Sequence, residues 1–133
     1  MRLSRKSEYA ILALVSLAKF KDEEHLTIQD LADLNQIPRK FLEQILIILK
    51  RQNLVRSIRG PQGGYKLAKE ASLISLAEVI RLIDGPLAPV DSVSVYFFDH
   101  TPIEKNAKIS AVLKEIRDYA SGRLEHLFLS DLT

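Results

Sequence analysis

Three of the chain's five glycines and one of its five prolines fall within six residues, RGPQGG at 59–64. On either side, LVRSI at 54–58 and YKLA at 65–68 alternate apolar and polar residues. Two period-two runs joined by such a cluster of turn-formers read as a β-hairpin with an open, protruding loop. The segments before it give that hairpin its meaning.

In LTIQDLADL, Thr27 and Asp30 have the spacing of a capping box with Asp in place of Glu, and Leu31, Ala32 and Leu34 are expected to face inward. Asn35 and Gln36 mark a tight break, and Pro38 suits the first position of another helix because its φ is already helical and its missing N–H goes unused there. That helix, PRKFLEQILIILKRQN, carries Leu42, Ile45, Leu46 and Leu49 at helical spacing, which turns Lys40, Glu43, Gln44, Ile47 and Arg51 outward. A short helix, a tight turn and a longer helix with a basic outer face make a helix-turn-helix. A hairpin directly after it is a wing, and Arg59 at the base of its loop is placed to enter a narrow minor groove, where the negative potential is strongest.

The remaining segments suggest a mainly α fold with a small β-hairpin wing, followed by a long C-terminal dimerisation helix. Ser4 can cap a first helix that is apolar nearly all round (Ala10, Leu14, Leu17, Ala18), with Asp22, Glu23 and Glu24 as its polar exit. Such a helix belongs at the centre of the core or across a subunit interface. LISLAEVIRLID at 73–84 is a further amphipathic helix, stopped by Gly85-Pro86. PLAPVDSVSVYFFDH is apolar and irregular. Thr101-Pro102-Ile103-Glu104 is a capping box expected to open a long helix with Ile109, Val112, Leu113, Ile116, Ala120, Leu124 and Leu127 along one side. Little of the chain is left to cover that stripe, so a homodimer is expected. The expected organisation is a winged helix-turn-helix over 1–86, a linker or effector loop over 87–100, and a dimerisation helix with its tail over 101–133.

A formal net charge of +2 conceals an asymmetry: residues 1–70 hold 13 Lys/Arg against 8 Asp/Glu, and residues 71–133 hold 6 against 9. Within 39–69 eight basic residues accompany one acid, Glu43. That imbalance suits a face that meets a polyanion. The absence of cysteine excludes disulfides, thiolate metal sites and thiol catalysis, and makes a cytoplasmic chain the expectation. The most apolar run, AILALVSLA at 10–18, is too short to span a bilayer, and no clear cleavage site follows it, so a signal peptide is the weaker reading.

Taken in order, MRLSRKSEYAILALVSLA, IPRKFLEQILIILKRQNLVRSIRGPQGGYKLA and ISLAEVIRLIDGPL resemble the IscR/NsrR/CymR family of bacterial transcriptional regulators, continuously over about residues 1–87. The resemblance rests on FLEQ, on the LVxSxRGxxGGYxLA wing and on the IDGP helix end, in order and at the family's spacing. It implies a homodimer that binds a pseudo-palindromic double-stranded DNA operator and usually represses. On this chain the implied base-reading positions are Arg39, Lys40, Glu43 and Gln44. The implied wing contact is Arg59, with Gly60, Gln62 and Gly63 letting backbone approach phosphate. Ser4, Lys6 and Tyr9 match positions close to the DNA backbone. Many relatives hold an iron–sulfur cluster through three cysteines just after the segment matching Gly85-Pro86; this chain has none, so no cofactor or metal is expected and the signal, a protein or a small molecule, stays open.

Each of these residues also has a plainer reading. Glu43 can pair with Arg39 or Lys40 on an exposed helix instead of accepting from cytosine. His100, beside Asp99, is expected as a surface residue flanking a helix cap rather than a ligand, and Glu8 as a favourable charge near a helix N-terminus. His25 and His126 stand alone. Tyr96, Phe97 and Phe98 line either an effector pocket or the core. No Ser/His/Asp set, carboxylate pair or metal-ligand spacing supports an enzyme. The rival to a DNA-binding regulator is a winged-helix module whose basic face meets a protein or RNA.

Overall fold

The computed structural model describes residues 1–20 and 25–133. Asp22, Glu23 and Glu24, the expected polar exit of the first helix, lie outside the described residues.

Helix α1 (Arg5–Ala18) starts where the Ser4 hydroxyl accepts from the Ser7 N–H at 3.1 Å. It buries Ala10, Ala13, Leu14 and Leu17 and touches elements on several sides, which places it at the centre of the core. Helix α2 (Ile28–Asn35) begins at the expected Thr27–Asp30 box, with both reciprocal bonds at 3.0 Å. Leu31 and Ala32 are buried, but Leu34 is 61% exposed, contrary to the expectation. At 3.6 residues per turn Leu34 lies about 110° around the helix from the middle of the face shared by Ile28, Leu31, Ala32 and Asn35.

Gln36 makes the break with a left-handed backbone (φ 54), and Ile37 drops into the core. Helix α3 (Arg39–Arg51) starts one residue later than expected: Pro38 is its N-cap, with a helical φ but an extended ψ of 126, and its carbonyl accepts from Leu42 at 3.0 Å. Leu42, Ile45, Leu46 and Leu49 are buried as their spacing requires. A left-handed Asn53 (φ 58) ends the helix and hands the chain to the hairpin. Strands β1 (Val55–Ile58) and β2 (Gly64–Leu67) pair antiparallel, Val55 opposite Leu67 and Ile58 opposite Gly64. Leu26, just before α2, pairs with Tyr65 on the far side of β2.

Helix α4 (Leu76–Asp84) is shorter than the expected 73–84, because the Ser75 hydroxyl caps it by accepting from Glu78 N–H at 3.1 Å. Residues 71–73 form a separate 3₁₀ turn that leaves Leu73 61% exposed. Gly85 (φ 87) turns the chain out of α4. Beyond it Leu87, Ala88 and Val93 are buried, whereas Tyr96, Phe97 and Phe98 are exposed.

Only half of the Thr101–Glu104 box forms, Thr101 N–H donating to the Glu104 carboxylate at 3.0 Å while the Thr101 hydroxyl bonds Ser92 Oγ at 2.6 Å, and it closes a 3₁₀ turn (Pro102–Lys105) instead of opening the long helix. Asn106 then adopts extended angles and caps α5 (Ala107–Glu125), its side-chain Oδ1 accepting from Ile109 N–H at 3.1 Å. Arg117 holds α5 to the Val93 carbonyl at 2.9 Å, and an Arg81–Glu125 ion pair at 2.5 Å joins it to α4. After α5 the tail runs back along 74–76: Leu76 N–H donates to Leu127 O at 2.8 Å and Leu129 N–H to Ile74 O at 3.0 Å. Leu129 is fully buried in the core built around α1.

Candidate nucleic-acid interface

Burying Leu42, Ile45, Leu46 and Leu49 leaves the opposite side of α3 to solvent. Arg39, Lys40, Glu43, Gln44, Ile47, Lys50 and Arg51 are all exposed, and at 3.6 residues per turn they fall within about 140° of the helix surface. The four base-reading candidates therefore share one face, together with Ile47, half-exposed among polar neighbours, and two further cations. An exposed apolar side chain there matches the thymine methyl as Gln and Arg match purine edges.

The cations are not equally free. Arg39 lies 3.6 Å from Glu43 and donates to Gln29 Oε1 at 3.0 Å, so the plainer partner for Glu43 is present. Both ends of that pair are more than half exposed, which limits it to a few tenths of a kcal/mol, about 0.3–0.5. Lys50 donates to Ser57 Oγ at 2.9 Å, tying α3 to β1. Among the described residues the side chains of Lys40, Gln44, Arg51, Arg56 and Arg59 have no hydrogen-bond or ion-pair partner. They form an exposed set of basic and amide groups on α3 and the hairpin.

In the wing, Gly60 has φ 112, a backbone that a side chain rarely tolerates, and Gly63 N–H closes the turn onto Gly60 O at 2.9 Å. Gly64 is forced by close approach, since a Cβ there would stand 2.2 Å from the Leu26 carbonyl oxygen. Arg59, Gly60 and Gln62 are exposed and Gly63 half-buried. At the start of α1, Ser4 is exposed and Lys6 half-buried, and Tyr9 packs edge-on against Phe41 of α3 with ring centroids 5.5 Å apart. That contact sets the start of α1 against the start of α3.

Elsewhere, Ile109, Val112 and Ile116 of the expected dimerisation stripe are exposed, as is Tyr119, which the sequence reading did not include. Leu113, Ala120 and Leu124 are half-buried. Leu127 lies past the end of α5 and packs with Leu124 on the chain's own core. Tyr96 and Phe97 line an open cleft with Gln52, Leu54, Glu78, Arg81 and Leu82, and the Arg81 guanidinium sits 4.8 Å over the Tyr96 ring. His100 lies 3.1 Å from Glu104 on the surface, Glu8 pairs with Arg5 in the first turn of α1, and His126 meets the Gly122 carbonyl at 2.8 Å. His25 does not stand alone: its Nε2 hydrogen-bonds the Gln62 carbonyl in the wing.

The spacing of α3 turns Ile47 and Arg51 outward without giving them a role, and the residues missed from sequence are Lys50 and Arg56, which only the local charge excess signals.

Comparison with known proteins places these features in a wider set. The model of the Rrf2 family, described as an iron-dependent transcriptional regulator, matches residues 3–133. An HTH-type transcriptional regulator, CymR of Bacillus subtilis, is 32% identical over 132 residues, 99% of this chain and 89% of that protein. Two HTH-type regulators of Mycobacterium tuberculosis are 46% identical over 95 residues, 71% of this chain but only 59% of their own length. Among solved structures, that of CymR, the global cysteine regulator of B. subtilis, superposes with a TM-score of 0.80 at 30% identity, covering 99% of this chain and 95% of that one. A T. potens IscR structure gives 0.70 at 26% identity, covering 99% and 85%. The iron in the family's description finds no fit: the chain has no cysteine, and among the described residues no three His, Asp or Glu side chains come together to hold a metal.

Proposed function

Because the chain belongs to the Rrf2 family of transcriptional regulators, we propose that it binds a pseudo-palindromic DNA operator as a homodimer and represses the genes beside it. In this reading α3 enters the major groove, where Arg39, Lys40, Glu43 and Gln44 read base edges, and Arg59 reaches into the minor groove. Ser4, Lys6 and Tyr9 approach the phosphate backbone. The observation that carries the reading is the outer face of α3: seven exposed residues on one side, four of them cationic, with Lys40, Gln44 and Arg51 unpartnered among the described residues.

The same reading divides the chain into a DNA-binding part (1–86), an effector segment (87–100) and a dimerisation helix with its tail (101–133). Exposed Ile109, Val112 and Ile116 support a second copy along α5. Two identical reading heads call for two half-sites, which is why the operator is proposed to be pseudo-palindromic. Among the described residues no helix is long and apolar enough to cross a membrane, which agrees with a cytoplasmic regulator. The family is one of regulators and not of enzymes.

Selection of bound fragments from genomic DNA by the purified protein at near-physiological salt tests the proposal. A recovered pseudo-palindrome, preferred about a thousandfold or more over random duplex with steep salt dependence, is the expected result. Weak, sequence-blind binding would favour a winged-helix module that meets a protein or RNA.

A further inference from the structure

Three of the six residues of the wing loop are glycines, and although Pro61 fixes one φ, glycine backbone gains its stiffness from what it is tied to. Its turn has one internal bond, Gly63 N–H to Gly60 O at 2.9 Å. Outside the turn, the tie comes from the segment that enters α2. Leu26 N–H donates to Tyr65 O at 3.0 Å and Tyr65 N–H to Leu26 O at 2.7 Å, laying the segment along β2. One residue back, His25 Nε2–H donates to the Gln62 carbonyl, inside the Gly60–Gly63 turn. One residue on, Thr27 caps α2. Three consecutive residues thus join the wing turn, the wing strand and the first helix of the helix-turn-helix.

Among the described residues, His25 is the one side chain outside the wing that hydrogen-bonds any of residues 59–63. Arg59 immediately precedes that turn, and its own side chain is unpartnered among the described residues. We propose that His25 is a positioning residue for DNA binding: by holding the Gln62 carbonyl it fixes the pitch of the wing turn, and so presents Arg59 ready-aimed to the minor groove. The gain is preorganisation, because a wing already held in its bound shape loses less freedom on contact with DNA. Nothing in this role requires the imidazole to touch DNA. The inference rests on the reading of Arg59 as a DNA contact.

A double-mutant cycle on the full chain tests it, with fluorescence anisotropy on the duplex recovered by genomic selection as the readout. His25→Ala should weaken binding by about tenfold in the parent, a loss of preorganisation, and should cause little further loss in an Arg59→Ala background, because both changes remove the same contact. His25→Gln, whose amide can donate to the same carbonyl, should restore most of the affinity. Without DNA, exchange of the Gly63 amide should be faster in His25→Ala than in the parent, while the melting temperature and the exchange of α1 and α3 amides stay close to parental. If His25→Ala is silent, or costs the same in both backgrounds, the positioning role is wrong although the wing contact stands. If Arg59→Ala itself binds like the parent, the wing reading fails and the inference falls with it.

Discussion

The Asp84 carboxylate accepts twice from Ser4, from its backbone N–H at 3.0 Å and from its hydroxyl, so the last residue of α4 anchors the first cap of α1 across 80 positions of sequence. Partial burial works against ionisation, but the Ser4 hydroxyl and N–H, with attraction from Lys6, hold the carboxyl below its ordinary range. A carboxyl depressed in the folded state stabilises the fold above its unfolded value, and that contribution is lost as pH falls toward the folded one. Asp84→Ala should therefore be less stable near neutrality by roughly 1 kcal/mol, the scale of a partly solvated charged hydrogen bond. The gap between variant and parent should narrow as pH drops below about 4. Urea unfolding at neutral and acid pH measures both, and a gap that stays constant would show that the carboxylate's charge is not what matters.

Gln44 and Arg59 should separate by the kind of loss they produce. If Gln44, exposed on the outer face of α3, meets a base edge as proposed, Gln44→Ala should cost about 1–3 kcal/mol on the preferred duplex and flatten preference at one base position. Arg59→Ala removes a charge from the wing and should weaken binding to many sequences alike, with a salt slope shallower by about one unit. Titrations at several salt concentrations against the selected duplex and its single-base variants distinguish the two patterns. Equal sequence dependence in both variants would move base reading away from Gln44.

Legibility in the sequence followed the distance over which each signal acts. The caps at Ser4 and Thr27, the core face of α3 and the hairpin were readable because their determinants lie within a few residues of one another. Leu34 misled because a short helix offers too few apolar residues to fix the centre of its buried face. The Thr101–Glu104 box was recognised, but Asn106 supplies a competing cap two residues later, and the long helix starts from the second. At the candidate site the outer face of α3 was legible for the same local reason. The bonds from His25 to Gln62 and from Ser4 to Asp84 join residues 37 and 80 apart, and no local pattern announces them.

The tail offers a direct test of one such hidden contact. Leu129 is fully buried in the core built around α1, more than 100 positions earlier in the chain, whereas Leu73 is 61% exposed. Leu129→Ala should cost about 2–5 kcal/mol, the transfer free energy of the lost methyl groups plus the cavity they leave. Leu73→Ala, an exposed substitution, should change stability by less than about 0.5 kcal/mol. Chemical denaturation of the two variants beside the parent gives the comparison. Similar small effects would mean that the tail does not complete the core.

The face of α5 that its own chain leaves open carries the remaining prediction. Ile109, Val112, Ile116 and Tyr119 are 37%, 46%, 50% and 75% exposed, and their spacing of three and four residues aligns them along one side of the helix. Arg117, between Ile116 and Tyr119, is instead turned inward to the Val93 carbonyl, and Leu113, Ala120 and Leu124 are half-buried, so a different side of the helix faces its own chain. An aspartate at position 116 has no positive partner placed by the fold and would have to be desolvated if a second copy covers the stripe. Ile116→Asp should therefore shift the protein from dimer to monomer in sedimentation while leaving the helical content and the buried core unaffected, since the native side chain is half solvated. The monomer should bind the selected duplex far more weakly than the parent, because each copy then grips one half-site without its neighbour's effective concentration. A variant that remains a dimer would place the interface on another surface.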